Sequence, residues 1–393
     1  MPTLFKLRSA EPSFSEPNSS GNTAVDVTIA EESAAKNKVF MQSFIDSSSP
    51  NNINGKVTVH KMESLYQGAA NLYSTESSSV RHIVTELGPE KSNYPNLTSN
   101  MLPTVTAASV KLNSSDPPTK PYGWKVKGAC ASAVRVLYYV HTTPEHAEQR
   151  DFLRTTIGNS KVAAFVNSSL VFFVGTTPDR KLSKKVHTEA EKHGDVVQLD
   201  FIDTYRNLSL KFIGATKWLL ANNCLNPTER VLVKIDDDVM VNVFLLTSYV
   251  KYILALDNSE SPSIHCAIVP QARPIRDKNS KWFVSRQDYS SNKYPLYCLG
   301  AAFVMHASVL ARLGRAVDHA PFFWVEDVYA TGMVARLANV SHVDINRHCC
   351  LTPAEDTVAV SKNTLFMQMG QALMASKSAS KLWNSVMLQN RTR

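Results

Sequence analysis

Val231-Leu-Val-Lys-Ile-Asp-Asp-Asp-Val-Met-Val-Asn242 decides how the rest of the chain is read. Val231 to Ile235 is a run of β-forming residues broken only by Lys234, which suits a buried strand of an α/β sheet. Asp236, Asp237 and Asp238 follow where that strand leaves the sheet, the end at which open α/β sheets bind ligands. Asn242 is placed to cap the helix that comes next. Consecutive like charges repel and call for a positive partner. An oxygen-ligated Mn²⁺ or Mg²⁺ suits them, because hard cations take carboxylates and keep open positions for substrate phosphates. Acidic triplets also occur as solvated turns or as charges that complement a helix N-terminus, so the triplet alone leaves both readings open. An EF-hand loop is excluded, since the Asp-x-Asp-x-Asp-Gly spacing with a distal Glu is missing.

Outward from this stretch, strand and helix patterns alternate. Val134–Val140 reads as a strand, and the His-Thr-Thr-Pro-Glu turn after it caps a helix from about Glu145 to Thr156. Arg150 and Arg154 stand at i and i+4 on that helix and share a face. Strands are expected at Val162–Phe165, Leu170–Gly175 and Val196–Phe201, with helices from Asp179 to His193 and from Asn207 onward. Val239–Leu256 reads as a core helix. Such alternation with short connections predicts a mainly parallel sheet between helices, with the 231–235 strand fourth or fifth in the series. No Gly-x-Gly-x-x-Gly or Walker loop is present, so phosphate charge has to be met otherwise, and a cation on the triplet would do it.

Beyond residue 256 the pattern is mixed. Lys281–Ser285, Tyr294–Gly300 and Ala301–His306 read as short strands, and Phe322–Tyr329 leads into a helix. Trp282, Tyr294, Tyr297, Phe323 and Trp324 suit either a carbohydrate platform or plain core. Glu326-Asp327 is a second acidic site flanked by Trp324, Val325 and Val328. Partial desolvation there would raise a carboxyl pKa and fit it for general-base work, although acidic residues are also favoured in a first helical turn.

Composition separates the 393-residue chain into two parts. Residues 1–125 are rich in Ser, Asn, Thr and Pro and read as a largely disordered stalk, whereas residues 126–393 carry continuous apolar periodicity and form one catalytic-sized domain. The formal charge of +8 falls almost wholly after residue 120 and favours an anionic ligand. No basic run interleaved with aromatics appears, so nucleic acid is not expected as a partner. Six cysteines form no Cys-x-x-Cys pair and leave disulfides and free thiols equally open. Seven Asn-x-Ser/Thr acceptors hint at a secretory route. No apolar stretch of membrane-spanning length or signal pattern is found.

Several of these blocks, in order, resemble the family 31 glycosyltransferases, the β-1,3-galactosyl and β-1,3-N-acetylglucosaminyl transferases of the Golgi. The similarity covers roughly residues 133–350. Arg150-Asp-Phe-Leu-Arg-Thr-Thr-Ile-Gly158 resembles that family's Arg-x-x-Ile-Arg-x-Thr-Trp-Gly block. Phe172–Gly175, Gly194–Lys211 with Trp218 and Cys224, Lys234–Asn242, Lys281–Ser285, Tyr294–Tyr297 and Glu326–Tyr329 follow as its further motifs. The resemblance implies a GT-A-type, Rossmann-like sheet and a UDP-sugar donor held through Mn²⁺ or Mg²⁺. By the same resemblance Asp238 contacts the metal, with His348 a further ligand. Asp236 and Asp237 hold the nucleotide or support the site, Arg150 and Arg154 add positive charge near the diphosphate, and Asp327 takes the proton from the acceptor 3-hydroxyl. A glycan acceptor on protein or lipid, the Golgi lumen and membrane association through an N-terminal anchor are implied too, although this sequence shows no anchor. Ile157 in place of the usual Trp, Phe212 in place of Thr and Gly300-Ala-Ala302 in place of a Gly-rich run are departures. They motivate an alternative, an inactive carbohydrate- or partner-binding pseudoenzyme on the same fold.

Overall fold

The computed structural model describes residues 126, 128–225, 229–256, 261–354, 363–370 and 378–389. The expected stalk, residues 1–125, lies outside the described residues. Seven strands form one sheet in the order β3-β2-β1-β4-β7-β6-β8, and three form a small second sheet in the order β5-β10-β9, with β9 at Cys349–Ala354. β1 (Val136–His141), β2 (Ser168–Thr176), β3 (Val196–Ile202) and β4 (Val231–Asp236) are parallel neighbours. β7 (Tyr297–His306) is antiparallel to both β4 and β6 (Ser263–Val269), and β8 (Ser341–Asp344) runs parallel to β6. The expected mainly parallel sheet between helices is therefore present, with an antiparallel turn-back beyond β4.

β4 is the fourth strand and lies between β1 and β7, and Val231, Leu232, Val233 and Ile235 are fully buried. A strand covered on both faces needs apolar residues at successive positions, as this one has. Helices α1 (Ala147–Thr155), α3 (Arg180–His193), α4 (Leu208–Ala221) and α5 (Val243–Ala255) connect the strands. Asp179 caps α3 by accepting from the Lys181 and Leu182 amides, and Gly194 ends it at φ 66°, the left-handed conformation a glycine adopts without strain. Asn242 caps α5 as the sequence indicates, its Oδ1 accepting from the Phe244 and Leu245 amides at 3.2 and 3.3 Å.

Four local expectations need correction. Lys281–Ser285 is not a strand, since Phe283 makes only an isolated bridge with Ile275. Val162–Phe165 lies within helix α2 (Ser160–Val166), not a strand, because Asn159 caps it through the Lys161 amide and Asn167 ends it in the left-handed region. Val239–Val241 is strand β5, which pairs with β10 (Phe366–Met369), so the helix after the triplet begins only at Val243. Tyr294–Gly300 and Ala301–His306 merge into the single strand β7 from Tyr297, since Ala302–His306 pair with β4 and Tyr297 and Cys298 pair with β6 across a register shift. Disulfides join Cys130 to Cys224 and Cys266 to Cys298, leaving Cys349 and Cys350 as thiols.

Candidate active site

The site is assembled where β4 and β7 meet a helix that starts at Glu326. Lys234, fully buried on β4, donates from Nζ to Asp236 Oδ1 at 2.7 Å and to the Gly300 carbonyl of β7. Gly300 lies directly beneath both carboxyls of the second acidic site. A methyl carbon in its place would overlap Asp327 Oδ1 and lie 2.7 Å from Glu326 Oε2. One buried cation and one glycine thus join the Asp triplet to Glu326-Asp327, residues some ninety positions apart in the chain.

The helix bearing Asp327 is held in register by Thr331. Its hydroxyl donates to the Asp327 carbonyl at 2.6 Å and accepts from the Cys298 amide of β7 at 2.9 Å. Val328–Val334 winds as a π-helix, a widened turn that occurs most often at functional sites.

Each member of the triplet has a different environment. Asp236 is bound to Lys234, as above. Asp237 is nearly buried and accepts from His146 Nδ1 at 2.9 Å. That hydrogen bond raises the His146 pKa above its ordinary value, although burial of the ring works against it. Asp238 accepts from Gln368 Nε2 on β10 at 3.1 Å through Oδ2, and Met369 N donates to its carbonyl at 2.8 Å. Its other carboxylate oxygen is buried with no hydrogen-bond partner. Burial first, then the charge of Asp236, pushes the Asp238 carboxyl up to about 7. An orphaned buried carboxylate oxygen beside two further carboxylates is the environment a hard divalent cation relieves.

Among the described residues, no group of three or more His, Cys, Asp and Glu side chains is placed to hold a metal ion.

Glu326 and Asp327 also differ. Glu326 is buried, its Oε1 has no partner, and desolvation pushes its carboxyl up to about 8, opposed by Lys234 and reinforced by Asp327 and Asp236. At neutral pH it is mostly a neutral acid. Asp327 is the more exposed of the two.

Other expected members stand apart. Arg150 and Arg154 correct the expectation of free positive charge for a diphosphate. Arg150 is fully buried, and its guanidinium donates to both oxygens of Glu189, to Thr142 Oγ1 and to the carbonyls of Thr143 and Pro144. Those bonds use all five of its N–H donors. Arg154 holds Asp195 with two hydrogen bonds of 2.8 Å, pairs with Asp151 and Glu189, and lies over the Phe172 ring. Arg150 anchors α1 to α3 and to the turn after β1, and Arg154 ties α1 to α3 and to Asp195 just before β3.

His348 is also placed away from the cluster. It follows β8 in a short 3₁₀ turn, and its backbone carbonyl accepts from Leu365 N just before β10, whereas Asp238 meets Met369 at the far end of β10. Its Nδ1 donates to Asn363 O at 2.9 Å, and its Nε2 accepts from Arg347 at 3.0 Å. These bonds tie its ring to Arg347 and to the segment that leads into β10.

The aromatic group divides. Phe323 is core, and Tyr294 packs between Tyr289, Tyr297 and Phe323 at centroid distances of 5.1 to 6.0 Å. Trp282 is exposed and donates from Nε1 to the hydroxyl of Tyr205 at 2.8 Å. Tyr205 and His146 were not singled out from the sequence. Each sits in a turn directly after a strand, Tyr205 after β3 and His146 after β1, and strand-end position was the available signal for both.

A sequence profile described as Galactosyltransferase matches residues 148–346. The chain is 31% identical over 239 residues to an acetylgalactosaminyl-O-glycosyl-glycoprotein β-1,3-N-acetylglucosaminyltransferase of Mus musculus, covering 57% of this chain and 58% of that protein. It is 29% identical over 198 residues to β-1,3-galactosyltransferase 5 of Homo sapiens, covering 50% and 62%. Similarity to the β-1,3-galactosyltransferase brn of Drosophila melanogaster is 32% over 208 residues, covering 53% and 61%. The chain thus spans less than two thirds of the length of these relatives. Among solved structures it is similar to a galactosyltransferase in complex with donor and acceptor sugar analogs, at 8% identity and a TM-score of 0.32, covering 64% of this chain and 96% of that one.

Proposed function

We propose, from the premise that this chain belongs to the galactosyltransferase family, that it is an inverting, metal-dependent hexosyltransferase. It moves galactose or N-acetylglucosamine from a UDP-sugar to the 3-hydroxyl of an acceptor glycan, on protein or lipid, to form a β-1,3 linkage. The observation that carries this reading is the meeting of two acidic sites, from distant parts of the chain, across Lys234 and Gly300.

In this reading Asp238 holds the cation through its unpartnered oxygen, and Asp236 stands beside it toward the nucleotide. A Mn²⁺ or Mg²⁺ ion bound there supplies charge neutralisation for the departing diphosphate. Asp237, tied to His146, fixes the triplet to the turn after β1. Asp327 accepts the proton of the acceptor 3-hydroxyl, which makes the oxygen nucleophilic for one in-line displacement that inverts the anomeric centre. Glu326, a neutral acid at pH 7, adds no second negative charge beside it. Lys234 offsets the charge that remains. Work in the Golgi lumen fits the two disulfides, which persist in oxidising compartments. Among the described residues no helix is long and apolar enough to cross a membrane.

The test is transfer from UDP-galactose and UDP-N-acetylglucosamine to a panel of glycan acceptors, with Mn²⁺ and with chelator. Chelator-sensitive transfer that Asp238→Ala and Asp327→Asn abolish is the expected result. Activity unchanged in both variants would remove the roles given to these carboxylates.

A further inference from the structure

Beside the carboxylate cluster lies an exposed ribbon of aromatic rings and cations that the transfer chemistry does not use. Tyr205 is 51% exposed and Trp282 is 47% exposed, and the indole–phenol hydrogen bond of 2.8 Å fixes the two rings side by side. Tyr205 feels the charges of Asp327, Asp236 and Glu326, which add to burial in raising its phenol pKa. The Tyr205 ring also lies 6.4 Å from that of Trp324, two residues before Glu326, so the pair borders the second acidic site. Rings held rigidly in solvent offer flat apolar faces, and the C–H face of a pyranose packs against such a surface.

Two cations flank the pair. Lys281 Nζ lies 4.3 Å from the Trp282 ring centroid and 6.0 Å from that of Tyr205. The Arg206 guanidinium lies 4.2 Å over Trp324, whose ring is 6.4 Å from Tyr205. Among the described residues neither cation is in an ion pair, whereas Arg154, Lys211, Lys217 and Lys234 all are. A guanidinium stacked on an indole keeps its in-plane N–H donors directed outward, the geometry that takes a carboxylate or a sulfate. A neutral acceptor would use the ring faces alone. It would gain nothing from two cations beside a site that is otherwise crowded with carboxylates.

We propose that the acceptor is an acidic oligosaccharide: one sugar ring packs on Tyr205 and Trp282, and a carboxylate or sulfate next to the extended residue is bound by Arg206 and Lys281. This rests on the hexosyltransferase reading for its reaction but not for its binding, and the two can fail separately. The net charge of +8 favours the same class of ligand.

The experiment uses the full chain with Mn²⁺ and matched oligosaccharides that are neutral, sulfated or uronic-acid-bearing. It measures kcat/KM with a UDP-sugar donor, and donor-free binding by calorimetry. An acidic acceptor favoured by about tenfold at low salt, with the preference shrinking as salt is added, is expected. Arg206→Gln and Lys281→Gln should each lower the acidic-to-neutral ratio several-fold, and Trp282→Ala should weaken both acceptor types. Sulfate and carboxylate acceptors compared directly identify which anion is preferred. Equal use and equal binding of acidic and neutral glycans, or a ratio untouched in both glutamine variants, overturns the proposal. Preferential binding of acidic glycans without transfer to any acceptor supports it and removes the hexosyltransferase reading instead.

Discussion

Two charged regions of this molecule are built on opposite principles. In the first, around α1, every donor of buried Arg150 is matched, and Arg154 is held by three carboxylates. In the second, around the end of β4, Asp238 Oδ1 and Glu326 Oε1 are buried without partners, and both carboxyls lie well above their ordinary range. Matched charge of the first kind fixes structure. Unmatched charge of the second kind costs stability and persists where a ligand or a reaction needs it.

The largest effect should come from breaking the second region. Asp327→Asn or Asp238→Ala is expected to reduce transfer by roughly 10²- to 10⁴-fold. Because each change removes a negative charge from a crowded cluster, the melting temperature should hold or rise. A fall in both activity and melting temperature would erase the distinction between the regions. Arg150→Ala should behave in the opposite sense. It empties a fully buried site and leaves Glu189 with Arg154 as its remaining cation, and is expected to cost roughly 3–5 kcal/mol in urea unfolding, with the donor KM of the folded fraction close to that of the parent chain. A large rise in donor KM without loss of stability would return Arg150 to the nucleotide site.

A third variant probes the seam. Gly300→Ala puts a methyl carbon onto Asp327 Oδ1, so the carboxylate must shift. A displacement of this size at a reacting group is expected to lower kcat by about 100-fold. Circular dichroism should show the fold unchanged. Parent-like kcat would mean that Asp327 need not occupy its present position. Gly300 is thus required for the approach of a side chain, and Ala302, buried and paired with Ile235, is ordinary sheet packing.

The sequence made the frame of this site legible because β4 has an unambiguous pattern: apolar residues at successive positions, then charge. The strands and helices from Val134 to Asp236 follow for the same reason, apart from α2, where Val162 and Phe165 are too few for their spacing to separate helix from strand. The triplet and Asp327 were identifiable as acidic sites. Their junction was not, since it depends on β7 turning back antiparallel beside β4, and no local period encodes strand order. Arg150 and Arg154 were misread for a related reason. A shared helical face says where charges point but not which carboxylates meet them, and Glu189 and Asp195 lie about forty residues away. Ile157, a departure within the first family block, is 1% exposed and packs as core. It supplies no observation in favour of an inactive protein.

The smallest expected effect concerns the neutral acid within the unmatched region. Glu326 has an ordinary carboxyl value of 4.5, and burial lifts it to about 8 in the folded chain. Between those values the folded protein keeps a proton that the unfolded chain has released, so stability falls as pH rises from 4.5 toward 8 and levels off above. Glu326→Gln keeps the shape and removes the ionisation. It should flatten this slope, leaving little difference from the parent chain at pH 5 and a gain of roughly 1–3 kcal/mol at pH 8, read from urea melts across that range. Arg150→Lys, in the matched region, should lower stability by a similar amount at both pH values, because its partners ionise below the window. Parallel slopes for Glu326→Gln and the parent would mean that Glu326 is already ionised and balanced by Lys234, and the second region would then be matched charge like the first.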